Sequence, residues 1–134
     1  MSLTYFKGNN VNKERPVFLT LTQIRFPITA ITSILHRASG FLMFLLIPFV
    51  LWMFQLSMTA HGYSALSEYL ANPVVKFITW VLLSAILYHL VAGIRHLLMD
   101  WHIISDTLAG GQMSSKAVVV ISTVLIILAG IWLW

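Results

Sequence analysis

The chain has no cysteine, and that absence removes disulfide staples, thiolate-held iron–sulfur clusters and the C-x-x-C-H cofactor-attachment motif. Charge is nearly as scarce: Asp, Glu, Lys and Arg make up 9% of the 134 residues, against about a quarter in a soluble domain. Hydrophobic residues fill 59%. A chain so composed reads as a membrane protein, with too little polar sequence for a separate dehydrogenase or nucleotide-binding domain. The alternation that marks barrel strands is missing, as are internal repeats and low-complexity tracts.

What the chain does have is three long apolar segments, at about 28–57, 73–99 and 117–134. Each exceeds or approaches the roughly 20 helical residues that cross a hydrocarbon core, and helices are the open-ended structure that satisfies its own backbone in lipid. The expected fold is all-α with three transmembrane helices in a single membrane-anchor domain. Residues 1–27 are polar and basic, without the short apolar core and small-residue cleavage site of a removable signal peptide. Asn72-Pro73 reads as an N-cap and first-turn proline opening the second span. Gly110-Gly111 marks the loop before the third span, with Ser114 or Ser115 as its cap, and Pro48 is expected to bend the first.

Lys and Arg set the expected orientation, because short loops rich in them stay in the cytoplasm. With the N-terminus inside, that side holds Lys7, Lys13, Arg15, Arg25, Arg37, Arg95 and Lys116, leaving Lys76 outside. The C-terminus then lies on the opposite, periplasmic side of the bacterial inner membrane, where Trp132 and Trp134 suit the interfacial aromatic belt. The net charge of +4 is thereby topological, and nucleic acid is not an expected partner.

His89 stands out within this frame, since an ionisable side chain at membrane depth is expensive and a functional candidate by default. Ala85, Ala92 and Gly93 surround it with small side chains that let a large flat group approach the backbone. His89 and His96 are seven apart and share a helical face, as do Ser33, His36, Arg37 and Gly40 on the first span. His89 lies roughly 10 Å deeper than Arg95 and His96. That offset suits haem, with iron at His89 and the propionates reaching cations at the inner interface. His61 falls in the outer loop and His36, His96 and His102 lie near the inner interface, so a second axial ligand is expected from a partner polypeptide. Without cysteine, the haem is held non-covalently.

Two stretches also carry a resemblance. Arg15-Pro16 followed by Ser33-Ile34-Leu35-His36-Arg37-Ala38-Ser39-Gly40, and then His89-Leu90-Val91-Ala92-Gly93-Ile94-Arg95-His96-Leu97-Leu98-Met99-Asp100, resemble in order the two signatures of the succinate dehydrogenase membrane cytochrome b family. The resemblance implies an electron-transfer anchor subunit that is not catalytic alone. It pairs with a second hydrophobic anchor subunit and docks the iron–sulfur and flavoprotein subunits at the cytoplasmic face. It further implies haem b on His89, propionates near His36, Arg37, Arg95 and His96, and ubiquinone at Ser33 and Arg37. His102 departs from the family's pattern, in which a small residue commonly follows the position of Trp101.

A reduction of quinone suits these residues, because a serine hydroxyl can hydrogen-bond a carbonyl oxygen and an arginine can stabilise developing negative charge. The contrasting reading is a small ion- or proton-conducting membrane subunit, or an assembly factor, that uses the same His and Arg without haem. A di-metal membrane oxygenase ranks last, since the histidine intervals contain no H-x-x-x-H set. Phe41, Phe44, Phe49 and Trp52 are expected to face lipid or packing partners.

Overall fold

A computed structural model describes residues 25–105 and 107–134. Lys7, Lys13 and the Arg15-Pro16 pair lie outside the described residues, as do the first 24 residues of the 1–27 segment expected on the cytoplasmic side. The described residues form four helices and no strand: α1 (Ile28–Ser57), α2 (Ala60–Ala71), α3 (Pro73–Asp100) and α4 (Leu108–Leu133). Helices α1, α3 and α4 contain 30, 28 and 26 residues, or about 45, 42 and 39 Å at 1.5 Å per residue. All three are long and apolar enough to span a membrane.

Helix starts follow their caps. The Asn72 side chain accepts from the Val74 amide at 2.9 Å, and Pro73 opens α3, where its missing N–H leaves no bond unmade. Two boundaries differ from expectation. Residues 60–71, assigned to an outer loop, fold as α2, because Thr59 caps the Gly62 amide at 3.1 Å. Hydropathy overlooks so short and mixed a helix. Likewise α4 begins at Leu108 and not at Ala117: the Thr107 hydroxyl accepts from the Gly110 amide at 3.2 Å. Gly110-Gly111 therefore sits in the first turn, and Ser114 and Ser115 lie inside the helix. A Cβ on Gly110 would stand 2.5 Å from the Ser105 carbonyl oxygen, so glycine is what permits this tight entry.

Pro48 lies within α1 without ending it. α3 stops at Trp101, whose successor His102 has φ 56. That left-handed conformation favours glycine at a helix end.

The centre of the bundle is built from small and hydroxyl-bearing residues. Ala92, Val118, Thr32, Ser115 and Ser122 are each at most 3% exposed. In lipid there is no hydrophobic force between helices, so association depends on close backbone approach and polar contacts. The Thr32 and Ser115 hydroxyls share a hydrogen bond at 3.2 Å, joining α1 to α4, and the Tyr88 hydroxyl donates to the Thr32 carbonyl at 3.1 Å, joining α3 to α1. Near the other end, the Trp80 indole donates to the Ile126 carbonyl at 3.0 Å, close to Gly130. The large apolar side chains point outward instead: Phe41, Phe44, Phe49 and Trp52 are all exposed in the isolated chain.

Replacing His102 with glycine removes the side-chain penalty of a left-handed backbone, about 1 kcal/mol. The thermal midpoint of the purified assembly is expected to rise in His102→Gly; a fall would show that the imidazole holds this turn through a contact of its own.

Candidate functional site

The polar residues of α1 and α3 meet at one end of the bundle. The His36 ring stacks on His89, with centroids 4.2 Å apart and planes at 19°. On its other side it meets His96 at 4.9 Å. The three imidazoles form a short column between the helices, and the seven-residue spacing of His89 and His96 places both on the face of α3 turned to α1. The column is possible because Gly40 has no side chain. A Cβ there would lie 2.9 Å from Cε1 of His89, closer than packed carbon atoms approach.

The ring of His89 is held by one of its two nitrogens. Nδ1 lies 3.1 Å from the His36 carbonyl oxygen and 3.1 Å from Ser39 Oγ, while the Ser39 hydroxyl donates to that same carbonyl at 2.8 Å. A carbonyl oxygen only accepts, so Nδ1 carries the proton and donates. In the neutral ring the lone pair then lies on Nε2, which makes no hydrogen bond with any described residue. This is how a metal-ligating histidine is oriented: one nitrogen fixed by a backbone carbonyl, the other left for the metal.

His36 offers a second opening. Its Nε2 is buried and has no hydrogen-bond partner among the described residues, a state that costs about 1–3 kcal/mol if nothing fills it. Gly93 lies beside it, where an added Cβ would be 3.6 Å away. Beyond His89 and Gly40, an apolar groove of about 290 Å³ runs between α1 and α3, lined by Met43, Ile47, Val50, Leu82 and Ile86 among others. These residues continue the faces of Gly40 and His89 toward the far end of the bundle. A fixed imidazole, an unpartnered polar nitrogen and an apolar slot fit a flat group that is oily at one edge and acidic at the other. A bare ion is poorly served, since no group of three His, Cys, Asp or Glu among the described residues is arranged to hold one.

Ser33 is half-buried and makes no side-chain hydrogen bond with a described residue, whereas its neighbour Thr32 bonds back to the Ile28 and Thr29 carbonyls at 3.1 and 3.0 Å. Arg37, one turn on, is exposed. Both are thus available to an occupant outside the chain. Arg95 is placed differently. Six residues from His89, it turns to α4, where Nε donates to Ser114 Oγ at 2.9 Å and Nη2 to the Gly111 carbonyl at 3.4 Å. It does not join the histidine column. Ser39, which completes the hold on His89, was not singled out from sequence, although its i+3 spacing from His36 continues the same stripe.

The chain matches the family described as succinate dehydrogenase/fumarate reductase transmembrane subunit over residues 11–129. It belongs to that family. A succinate dehydrogenase cytochrome b556 subunit of Coxiella burnetii is 41% identical over 92% of this chain and all of its own length. The corresponding subunit of Paracoccus denitrificans is 33% identical over 68% of this chain and 72% of its own. A cytochrome b560 subunit of Reclinomonas americana is 34% identical over 68% and 67%. Membership in this transmembrane family, with three membrane-length helices, makes the chain a multi-pass inner-membrane protein and a component of an oxidoreductase complex.

For this transmembrane subunit, Gly40→Val puts branched carbon against the His89 ring and forces α1 away from α3. Overpacking of this kind costs about 1–3 kcal/mol. The assembled complex is expected to lose thermal stability and to show a displaced His89 imidazole resonance; an unchanged midpoint would mean that the two helices are not in contact there.

Proposed function

We propose that the chain is the haem b-binding membrane anchor of a succinate:ubiquinone oxidoreductase, contributing one axial ligand and one wall of the quinone site without catalysing a reaction by itself. The observation that carries this reading is the hold on His89, with Nδ1 donating to the His36 carbonyl and Nε2 left with its lone pair. Nε2 is the atom that would hold the haem iron. A second ligand would come from a partner hydrophobic subunit, since the other two rings of the column are stacked with His89 or beyond it. The cytochrome b names of the relatives agree with this assignment. When bound, the haem supplies a one-electron store beside the path to quinone.

The chain's own side chains do the rest. His36 Nε2, His96 and Arg37 are the donors for the propionates, since a buried carboxylate needs such partners. Arg95, engaged with α4, is left out of that set. Ser33 and Arg37 bind ubiquinone: the Ser33 hydroxyl donates to a carbonyl oxygen, and the Arg37 guanidinium steadies negative charge as electrons arrive. Arg37 lies in the third turn of α1, near the end of the bundle at which water can deliver the two protons that reduction consumes. By the bias of Lys and Arg, this end of the bundle is cytoplasmic, and there the iron–sulfur and flavoprotein subunits dock.

Substituting His89→Leu is expected to remove or strongly diminish the b-type spectrum of the assembled complex; full haem occupancy with an unaltered spectrum would overturn the assignment. Arg37→Ala is expected to slow quinone reduction by about a hundredfold, and Ser33→Ala by less. Succinate oxidation with a water-soluble artificial acceptor should survive in both. Equal loss of the two activities would indicate failed assembly and not a damaged quinone site.

A further inference from the structure

Ser39 is buried on the face of α1 that meets His89, and its hydroxyl does more than other hydroxyls in the bundle. Thr79 and Ser84 bond back to the Val75 and Trp80 carbonyls four residues earlier, at 2.9 and 2.6 Å, and to nothing else among the described residues. That is the ordinary fate of a hydroxyl inside a helix. Ser39 makes the same kind of bond, 2.8 Å to the His36 carbonyl, but its Oγ also lies 3.1 Å from Nδ1 of His89. Because that carbonyl is itself 3.1 Å from the same nitrogen, the three atoms close a triangle of 2.8, 3.1 and 3.1 Å. The serine proton goes to the carbonyl, so the hydroxyl oxygen faces Nδ1–H as an acceptor.

A second acceptor changes what the ring can do. Rotation of an imidazole about its Cβ–Cγ bond is soft, since terminal torsions of this kind have broad wells. One acceptor therefore lets the ring swing through an arc before its hydrogen bond weakens steeply. Two acceptors set side by side leave the proton one favourable place between them. The remaining freedom is already restricted: the His36 ring covers one face at a centroid distance of 4.2 Å, and the backbone at Gly40 backs Cε1, where a Cβ would stand 2.9 Å away. We propose that, given the haem reading of His89, Ser39 is a positioning residue whose hydroxyl fixes the rotation of the His89 ring and so the direction of the Nε2 lone pair. A ligating histidine is commonly oriented by the partner of its second nitrogen. Here that partner is a pair, a backbone carbonyl that any residue supplies and a hydroxyl that few residue types can.

The test uses the assembled, oxidised complex and reads the low-spin ferric haem signal by electron paramagnetic resonance, whose largest g value depends on the rotation of the axial rings. Haem content is measured in parallel by the pyridine haemochrome. Ser39→Ala removes the hydroxyl and favours the helix; it is expected to keep haem while its largest g value shifts and the line broadens. Ser39→Cys, close in volume and weak in hydrogen bonding, should shift the signal likewise, whereas Ser39→Thr keeps the hydroxyl and should hold the wild-type position. A wild-type signal in Ser39→Ala at full haem content overturns the proposal. So does an equal shift in Ser39→Thr, which would mark packing and not the hydroxyl as the cause. Should Ser39→Ala fail to assemble or to keep haem, Ser39→Cys is judged by the same comparison. His89→Leu separates the two readings: loss of haem there beside an unmoved signal in Ser39→Ala defeats the role of Ser39 alone, while haem retained in His89→Leu defeats the ligand assignment on which that role rests.

Discussion

The organisation of the polar end depends on how closely α1 passes α3 at Gly40 and His89. A backbone carbonyl of α1 can orient an imidazole on α3 only if nothing larger than hydrogen stands at position 40, because the ring already occupies the space of a Cβ. From that approach follow the bond from Nδ1 to the His36 carbonyl, the reinforcing hydroxyl of Ser39, and the stacking of His36 against the ring it helps to hold. The helix crossing and the chemical state of the histidine are therefore one constraint. A residue that spread the helices would also free the ring.

Lipid solvent explains why the interior is small and the surface large. Helices in hydrocarbon gain little by hiding leucine and phenylalanine from one another, so the contacts that count are hydroxyls, glycine approaches and a few directed hydrogen bonds. Thr32, Ser115 and Tyr88 join the three long helices near the histidines, while Trp80 ties α3 to α4 near the opposite end. Apolar surface left outside this frame, including the groove that continues from His89, is available to lipid and to the other subunits of an oxidoreductase complex. The two sides of α3 divide the work: one presents imidazoles to α1, and the other presents Arg95 to α4.

Much of this was legible in the sequence because helical spacing is a reliable ruler. The seven-residue interval put His89 and His96 on one face, and of the stripe of Ser33, His36, Arg37 and Gly40 it is His36 and Gly40 that meet that face. Arg95 escaped the same logic. Adjacent to His96 in sequence, it lies about 100° away around the helix, and only the position of α4 shows what it reaches. Hydropathy located the spans but not the helix ends, since Thr107 starts α4 within a polar stretch and Thr59 starts a helix too short and mixed for any hydrophobic window. The orientation of the His89 ring was beyond sequence altogether, because it rests on a backbone carbonyl that every residue possesses.

A density map of the intact complex at side-chain resolution tests the central claim most directly. A tetrapyrrole seated on Nε2 of His89, with its carboxylate edge turned toward His36 and His96 and a second ligand entering from another subunit, is the result the account requires. Lipid, solvent or a closely packed helix against that nitrogen would contradict it.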